Sequence, residues 1–177
     1  MDLNVRPPLH AALDRRLPGR HPASHDPAAR HLPESSVTDI TLIAAIGQQG
    51  QLGLRGELPW KSNWGHAYRA DLWRFRETTT GGVLIAGYRT IQGLWGLDGT
   101  HDRDLVEDDL RWSPDEIAAR IAKRWPERPV FVIGGAKTYR RWLDTVTAFD
   151  VTRLPYDGEA DVHAEFLLPH VTLEVAA

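Results

Sequence analysis

The sequence predicts an α/β fold, and three observations in its central part support that class. Residues 41–46 form a short apolar run that is typical of a buried strand, and residues 83–86 form a second one. Between them, residues 70–76 have the apolar spacing of an amphipathic helix. The second run ends at Gly87, where we expect a turn into another helix. Strands that alternate with helices in this way indicate an α/β domain.

The composition limits what the protein can be. The chain has 177 residues, of which 42% are apolar, as is usual for one globular domain. The net charge of -3 gives no reason to expect nucleic acid or a membrane surface as a partner. Cysteine is absent, which excludes disulfides, thiolate catalysis and cysteine-ligated zinc. Without a long apolar run or a signal-peptide core, we expect a cytoplasmic protein that is a monomer or a weak homodimer and holds no metal.

Residues 1–37 differ from the rest of the chain. They are rich in proline and arginine and lack a sustained apolar pattern, so they cannot bury enough surface to offset the entropy lost on ordering. We predict a disordered tail, followed by one domain at residues 38–177. An organellar transit peptide is the alternative, because arginine is common in the tail and acids are few. The tail also carries four histidines, whose irregular spacing among prolines argues against a metal site: His10, His21, His25 and His31.

Asp71 is the candidate for chemistry in the first helix. It is a lone acid beside a helical face formed by Tyr68, Leu72 and Phe75. A lone aspartate early in a helix is more often a solvated or capping residue. Here its neighbours are bulky and apolar, which makes a solvent-exposed position of this part of the helix less favourable. Upstream of this helix, Trp60 follows a glycine-punctuated loop, and a tryptophan is too large to be left unused in solvent.

The second half of the sequence supplies further strands and helices. Ser113 and Glu116 have the spacing of a capping box at the start of a helix. Residues 129–133 form an apolar strand that runs into Gly134 and Gly135, where the backbone can approach a ligand or make a simple tight turn. The other predicted elements are helices at 88–94 and 136–143 and strands near 104–106, at 148–154 and at 171–175.

Together these segments resemble the dihydrofolate reductase family over residues 41–169. The matching motifs are, in order, Leu-Ile-Ala-Ala at 42–45, Gly-Gln-Leu-Gly at 50–53, Leu-Pro-Trp at 58–60, Asp-Leu-x-x-Phe at 71–75, Ile-x-Gly-x-x-Thr at 85–90 and Val-Ile-Gly-Gly at 132–135. Each motif alone is weakly specific. Their shared order and near-constant separations make the resemblance specific.

The resemblance implies a central, mostly parallel sheet flanked by helices, and hydride transfer from NADPH to dihydrofolate to give tetrahydrofolate. Asp71 matches the family's active-site carboxylate, which hydrogen-bonds the pterin and promotes protonation of a ring nitrogen. An acid in a mostly apolar pocket has a raised pKa, which suits that role. Trp60 would position a water beside Asp71, and Thr152 would support Asp71 through water. The residues that would contact the pterin are Ile43, Ala45, Leu72, Phe75 and Thr152.

The resemblance also implies how the cofactor would be bound. Residues 47–60 would form a mobile lid over the nicotinamide, with Leu58 at its tip and Asp161 in the acidic loop that braces it. Two glycine turns would present helix N-termini to the cofactor phosphates. The implied cofactor contacts are Ala45, Leu52, Gly53, Leu58, Gly87, Arg89, Thr90, Gly134, Gly135, Ala136, Lys137 and Tyr139.

Several departures from the family pattern leave the substrate open. Extra residues at 61–66 separate Trp60 from Asp71, and Tyr88 replaces a basic residue beside Gly87, leaving Arg89 there. Thr100 stands where the family has an arginine for the glutamate of folate, and the chain ends before the family's last strand. A substrate without the glutamate tail would fit this pattern. The alternatives are a reductase of another pterin or of a riboflavin-pathway pyrimidine, and a non-catalytic paralogue that binds nucleotide.

Overall fold

The computed structural model describes residues 39–61, 65–94 and 100–175. The predicted tail at 1–37, the predicted domain start at residue 38 and part of the extra segment at 61–66 lie outside these ranges. In chain order the described elements are β1 (Ile40–Ile46), β2 (Gln51–Gly53), α1 (His66–Thr78), β3 (Val83–Ala86), α2 (Tyr88–Gly93), β4 (Asp104–Glu107), α3 (Pro114–Arg124), β5 (Val130–Gly134), α4 (Ala136–Trp142), β6 (Ala148–Arg153), β7 (Val162–His163), a 3-10 helix (Glu165–His170) and β8 (Val171–Glu174).

Six of these strands form one sheet in the order β4-β3-β5-β1-β6-β8, and every pairing between them is parallel. β1 lies in the interior, between β5 and β6, as its uninterrupted apolar sequence predicts. Because parallel strands need crossover connections, helices cover both faces of the sheet. The predicted α/β class and the central parallel sheet are confirmed.

The two faces of the sheet bury alternate residues of β1, since successive side chains of a strand point to opposite sides. Leu42 and Ile46 belong to a core cluster that also contains Ile117 of α3 and Trp142 of α4. Ile43 belongs to the cluster on the other face, against which Phe75 of α1 packs. α1 is therefore laid along the face of β1 that carries Ile43.

The helix that the capping box predicts is present as α3. The Ser113 side chain accepts a hydrogen bond from the Glu116 backbone at 3.2 Å, and the Glu116 carboxylate accepts one from the Ser113 backbone at 2.8 Å. Two N–H groups that the helix itself leaves without partners are thereby satisfied. No helix in the described ranges has the length and apolar character needed to cross a membrane.

Three elements were missed by the sequence patterns. β2 and β7 pair as a short antiparallel ribbon, in segments where only loops were expected, and a 3-10 helix occupies residues 165–170. Strands of three and two residues are too short to show an alternating pattern. Their pairing is decided by the partner strand, which lies far away in the sequence.

Candidate active site

α1 holds one side of the candidate site because its apolar residues anchor it at two places. Tyr68 is buried in a cluster with Trp60 and Leu154, against which Ala45 of β1 packs. Phe75 packs against the cluster that contains Ile43. Asp71 lies between these anchors, three residues after Tyr68 and four before Phe75, so it shares their side of the helix. It therefore faces the carboxyl end of β1, where ligands bind in parallel sheets.

The Asp71 carboxyl group is largely withdrawn from water, with 15% of its side chain exposed. Burial raises the pKa of Asp71, and the hydrogen bond from Thr152 and the charge of Arg74 oppose that rise. Trp73, one of the apolar neighbours that suggested an enclosed site, is 64% exposed. At two residues from Asp71 it points away from the sheet side of the helix. The β-strands and Phe75 provide the apolar surroundings instead.

Thr152 of β6 acts on Asp71, as the supporting position expected for it requires. In the parallel pairing of β1 with β6, Thr152 lies opposite Ala45, at the end of the sheet that Asp71 faces. The Thr152 side chain is fully buried, and its hydroxyl hydrogen-bonds the Asp71 carboxyl group. The sheet register thus decides which β6 residue supports the acid.

Trp60 lies beside the N-terminal half of α1. Its ring is 2% exposed, stacks on Tyr68 with centroids 6.0 Å apart, and meets the edge of Tyr156 at 5.8 Å. Trp60 thus contacts Tyr68, which lies three residues before Asp71 on α1. The expectation that this tryptophan would be used rather than left in solvent agrees with this packing.

Tyr139 connects α4 to β1 beneath the site. It is buried, and its hydroxyl donates a 2.9 Å hydrogen bond to the backbone carbonyl of Ile43. Burial, reinforced by the nearby charge of Asp71, raises the pKa of Tyr139, so the phenol stays neutral. The same hydrogen bond fixes the backbone carbonyl of Ile43, a residue that was expected to contact the pterin.

The two predicted glycine turns adjoin each other at the carboxyl ends of β3 and β5. The Gly87 backbone N–H donates to the Gly134 carbonyl at 2.8 Å. A Cβ atom at Gly87 would lie 2.9 Å from the Thr138 hydroxyl, and one at Gly135 would lie 3.5 Å from that of Thr90. Gly134 has φ 112, in the region that favours glycine, and the Gly134–Gly135 peptide bond is cis.

The remaining expected cofactor residues surround these turns. Thr90 is half-buried in α2, and Ala136 begins α4. Arg89 and Lys137 are exposed, on the first turns of α2 and α4 respectively. The two glycine turns are about 45 residues apart in the sequence. They lie together because β3 and β5, which they follow, pair in parallel.

The expected lid is tied to the acidic loop by backbone and side-chain bonds. The Asp161 carboxylate accepts from the Arg55 backbone at 2.7 Å, and the Asp161 backbone donates to the Gly53 carbonyl at 2.9 Å. Leu58 is 43% exposed, whereas Leu52 packs against the core. Gly53 was expected at the cofactor, and a Cβ there would lie 3.2 Å from Val162. Close approach of β7 therefore accounts for this glycine.

Three charged residues near the site were not predicted. Arg74 and Asp150 form an ion pair, with guanidinium-to-carboxylate distances of 2.5 and 2.6 Å. Arg103 is 1% exposed and binds the C-terminal end of α1, donating to the Thr79 hydroxyl at 3.0 Å and to the Arg76 carbonyl. Asp71 and Arg74 are three residues apart on a helix, a spacing that predicts one side of the helix for both. Asp150 and Thr152 are two apart on a strand, a spacing that predicts one face of the sheet for both. The sequence contains no signal that links the two pairs.

Comparisons with known proteins agree with this geometry. Residues 39–173 match the family model for dihydrofolate reductase. The chain is 42% identical over 123 residues to a dihydromethanopterin reductase of Methylorubrum extorquens, covering 70% of this chain and 87% of that protein. It is 26% identical over 138 residues to a dihydrofolate reductase of Haloferax volcanii, covering 69% and 68%.

The fold has a solved counterpart as well. A dihydrofolate reductase from Enterococcus faecalis, in complex with NADP(H) and RAB-propyl, superposes with a TM-score of 0.57 at 24% identity. The match covers 71% of this chain and 76% of that structure. On the family match, the 42% identical relative and the shared fold, the chain belongs to the dihydrofolate reductase family of oxidoreductases.

Proposed function

We propose that this protein reduces a dihydropterin with hydride from NADPH, and that dihydromethanopterin is its first candidate substrate. The observation that carries the proposal is Asp71, a buried carboxyl group bonded by Thr152 at the carboxyl end of the parallel sheet. Its surroundings, Ile43, Ala45 and Phe75, offer apolar contact to a flat ring. We expect a cytoplasmic enzyme that is a monomer or a weak homodimer.

In this proposal Asp71 does two things. Its carboxylate accepts hydrogen bonds from the amino-pyrimidine edge of the pterin, and burial raises its pKa, which favours the protonated form over that of an exposed aspartate. Asp71 would thereby promote protonation of the ring nitrogen of the substrate C=N bond, while the adjacent carbon gains a hydride. Trp60 and the lid would exclude bulk water from the reacting bond.

NADPH supplies the hydride when it is bound, and the glycine turns fit such a cofactor. The turns at Gly87 and Gly134–Gly135 adjoin each other at the carboxyl ends of β3 and β5, which is where ligands bind in parallel sheets. Arg89 is an exposed cation next to Gly87 and would take the adenosine phosphate. Leu52, Gly53 and Leu58 would cover the nicotinamide from the lid side.

Dihydromethanopterin is favoured by two observations. The relative with that activity is 42% identical, whereas the Haloferax volcanii dihydrofolate reductase is 26% identical. In addition, Thr100 occupies the position where we expected the arginine for the glutamate of folate. A pterin with a different tail would not need that arginine.

Dihydrofolate is the second candidate, because residues 39–173 match the dihydrofolate reductase family model. Arg103 lies three residues after Thr100, but its guanidinium group is buried against the C-terminal end of α1 and is not accessible to a substrate carboxylate. Its N–H groups also bond Arg76, Thr79 and Thr100 in the described structure, so it has a structural function in either case.

The experiment compares NADPH consumption by the full chain with dihydromethanopterin, with dihydrofolate, with a riboflavin-pathway pyrimidine and with no substrate. We expect the highest kcat/KM with dihydromethanopterin and no consumption without substrate. A higher kcat/KM with dihydrofolate would assign the second candidate. Consumption with the pyrimidine alone, or with none of the three while NADPH still binds, would overturn the proposal. The latter result would support a non-catalytic nucleotide-binding protein.

A further inference from the structure

Arg74 forms a group of polar side chains with Asp150, Thr152 and Asp71. Arg74 and Asp150 are not among the residues that the family motifs specify. Its Nη1 donates to both oxygens of the Asp150 carboxylate, at 2.5 and 2.6 Å. Its Nη2 donates to the Thr152 hydroxyl at 2.6 Å and lies 3.6 Å from the nearer Asp71 oxygen. The guanidinium group therefore contacts the partner of Asp71 and lies beside Asp71 itself.

The hydrogen-bond inventory of these groups fixes the direction of each bond. A guanidinium group can only donate, so the Thr152 hydroxyl oxygen accepts from Arg74. The single hydroxyl hydrogen of Thr152 is then left for the other partner, Asp71. Arg74 thus orients the Thr152 hydroxyl so that it donates to the Asp71 carboxyl group.

The placement of these residues follows from two periodicities. Asp71 and Arg74 are three apart on α1 and lie on the same side of the helix. Asp150 and Thr152 are two apart on β6 and lie on the same face of the sheet, opposite Ile43 and Ala45 of β1 respectively. The Thr172 hydroxyl of β8 lies 3.5 Å from Asp150, which extends the contacts to the edge of the sheet.

Stability alone is a weak reason to keep this group. The side chains of Arg74 and Asp150 are 28% and 23% exposed, so both charges are mostly removed from water. Removal from water can cost more free energy than the attraction between the two charges returns. In addition, the Arg74 Nε is buried and has no hydrogen-bond partner in the described part of the chain.

We propose that Arg74 is a positioning residue of the active site: held by Asp150, it aligns the Thr152 hydroxyl on Asp71 and sets the charge beside that carboxyl group. The catalytic meaning of this inference rests on the proposed reduction of a dihydropterin. The groups that act electrostatically on Asp71 are Arg74 on α1 and Asp150 on β6. Tyr139 on α4 also faces it and stays neutral, since burial raises the pKa of its phenol.

The two members of the ion pair act on Asp71 with opposite signs. The positive charge of Arg74 lowers the pKa of Asp71, and the negative charge of Asp150 raises it. Arg74→Met and Asp150→Asn break the same ion pair. If the pair only fastened α1 to β6, both substitutions would have the same consequence. If Arg74 positions and polarises Asp71, the two substitutions move the titration of Asp71 in opposite directions.

The experiment measures the pH profile of kcat/KM with saturating NADPH, for wild type, Arg74→Met, Arg74→Lys and Asp150→Asn. We expect the midpoint of the Asp71-dependent limb to move up by roughly half a pH unit to one unit in Arg74→Met. It should move down in Asp150→Asn and stay near wild type in Arg74→Lys, which keeps the charge. Arg69→Met is the matched control, because it removes an exposed arginine from the same helix and should leave the midpoint unchanged.

A second measurement does not depend on turnover. Carbon-13 NMR of the aspartate carboxyls, with the Asp71 resonance assigned by its loss in Asp71→Asn, follows the same titration in each variant. Opposite shifts for Arg74→Met and Asp150→Asn support the inference. Equal shifts, or none, overturn it even if the enzyme reduces dihydropterins. An enzyme that reduces no dihydropterin but shows opposite carboxyl shifts would instead overturn the proposed function and leave the electrostatic coupling standing.

Discussion

Asp71 is held where burial and polar neighbours act on one carboxyl group in opposite directions. Burial raises its pKa, while Thr152 and Arg74 favour the ionised form. A proton donor for a neutral-pH reaction works best with a pKa near the working pH, so the rise caused by burial favours this function. The pKa of Asp71 therefore depends on side chains from β6 as well as on those of its own helix.

Asp71→Asn tests the proton-handling function directly. The amide keeps the size and hydrogen bonding of the side chain but cannot titrate. We expect the rate of dihydropterin reduction at neutral pH to fall about 10²–10⁴-fold and to recover partly towards low pH, where solution protonates the substrate. NADPH binding, measured by fluorescence titration, should persist because the glycine turns are unaltered. A wild-type rate at neutral pH would show that Asp71 is not the proton-handling group.

Arg89 tests how the cofactor is selected. It is an exposed cation beside Gly87, where a basic residue would meet the adenosine phosphate of NADPH. We expect Arg89→Ala to weaken NADPH binding by about 10–100-fold, as is typical for the loss of a bond to a charged group, and to leave NADH binding nearly unchanged. Isothermal titration with both cofactors measures this. Equal losses would place Arg89 on the diphosphate that the two cofactors share.

At the scale of elements, the lid is defined by its pairing with a distant loop. β2 and β7 pair antiparallel, and Asp161 bonds the backbone at both Gly53 and Arg55. The side-chain bond is exposed, so its energetic contribution is modest. Its geometric effect is to fix where the turn at residues 54–57 lies over the end of the sheet.

Asp161→Ala removes the carboxylate that accepts from Arg55 and leaves the β2–β7 backbone pairing intact. We expect kcat/KM to fall by about tenfold or less, mainly through weaker cofactor retention, since lid closure completes the site. Stopped-flow measurement of NADPH dissociation should show a faster off-rate. Glu159→Ala is the matched control from the same exposed segment. If the control and Asp161→Ala behaved alike, the Arg55 bond would have no part in lid closure.

At the scale of the whole molecule, the ordered elements lie within the family match at residues 39–173, apart from the last residue of β8. Residues 1–37 precede that match and have the composition of a segment that cannot bury a core. We expect deletion of residues 1–37 to leave the thermal unfolding midpoint and kcat/KM unchanged. A large loss of either would show that the tail packs on the domain.

The pH dependence of stability provides a further whole-molecule test of Asp71. Its raised pKa means that the folded protein binds this proton more tightly than the unfolded chain does. The associated stability is present below the unfolded pKa of about 3.9 and is lost as pH rises through the raised folded pKa. Asp71→Asn has no such loss. We therefore expect the unfolding midpoint of Asp71→Asn to rise relative to wild type as pH increases from about 4 to 8.

The matched control for that measurement is Asp144→Asn, an exposed aspartate that follows α4. Its difference from wild type should not depend on pH in this way. A constant difference between Asp71→Asn and wild type across the pH range would contradict a raised pKa at Asp71. A raised pKa at Asp71 favours proton donation but lowers the stability of the folded protein as pH rises. With a constant difference, this conflict between catalysis and stability would be absent.

The sequence by itself determined the features that depend on local patterns. Uninterrupted apolar runs predicted the buried parallel strands, and Ser113 with Glu116 predicted the start of α3. Family motifs singled out Asp71, Trp60 and the glycines of both turns. The inferences on the strands and on α3 succeed because strand burial and helix capping are set by residues close together in the chain.

Only the tertiary structure decided which distant side chains surround Asp71. Arg74 and Asp150 are 76 residues apart, and Arg103 reaches back 27 residues to the end of α1. Thr152 was expected beside the acid from the family resemblance, whereas Arg74 and Asp150 were not, and pairing with β7 explained Gly53 as a close approach. Such contacts depend on how the sheet is ordered and how α1 lies across it. No local periodicity encodes that arrangement, because it results from packing all the strands and helices together.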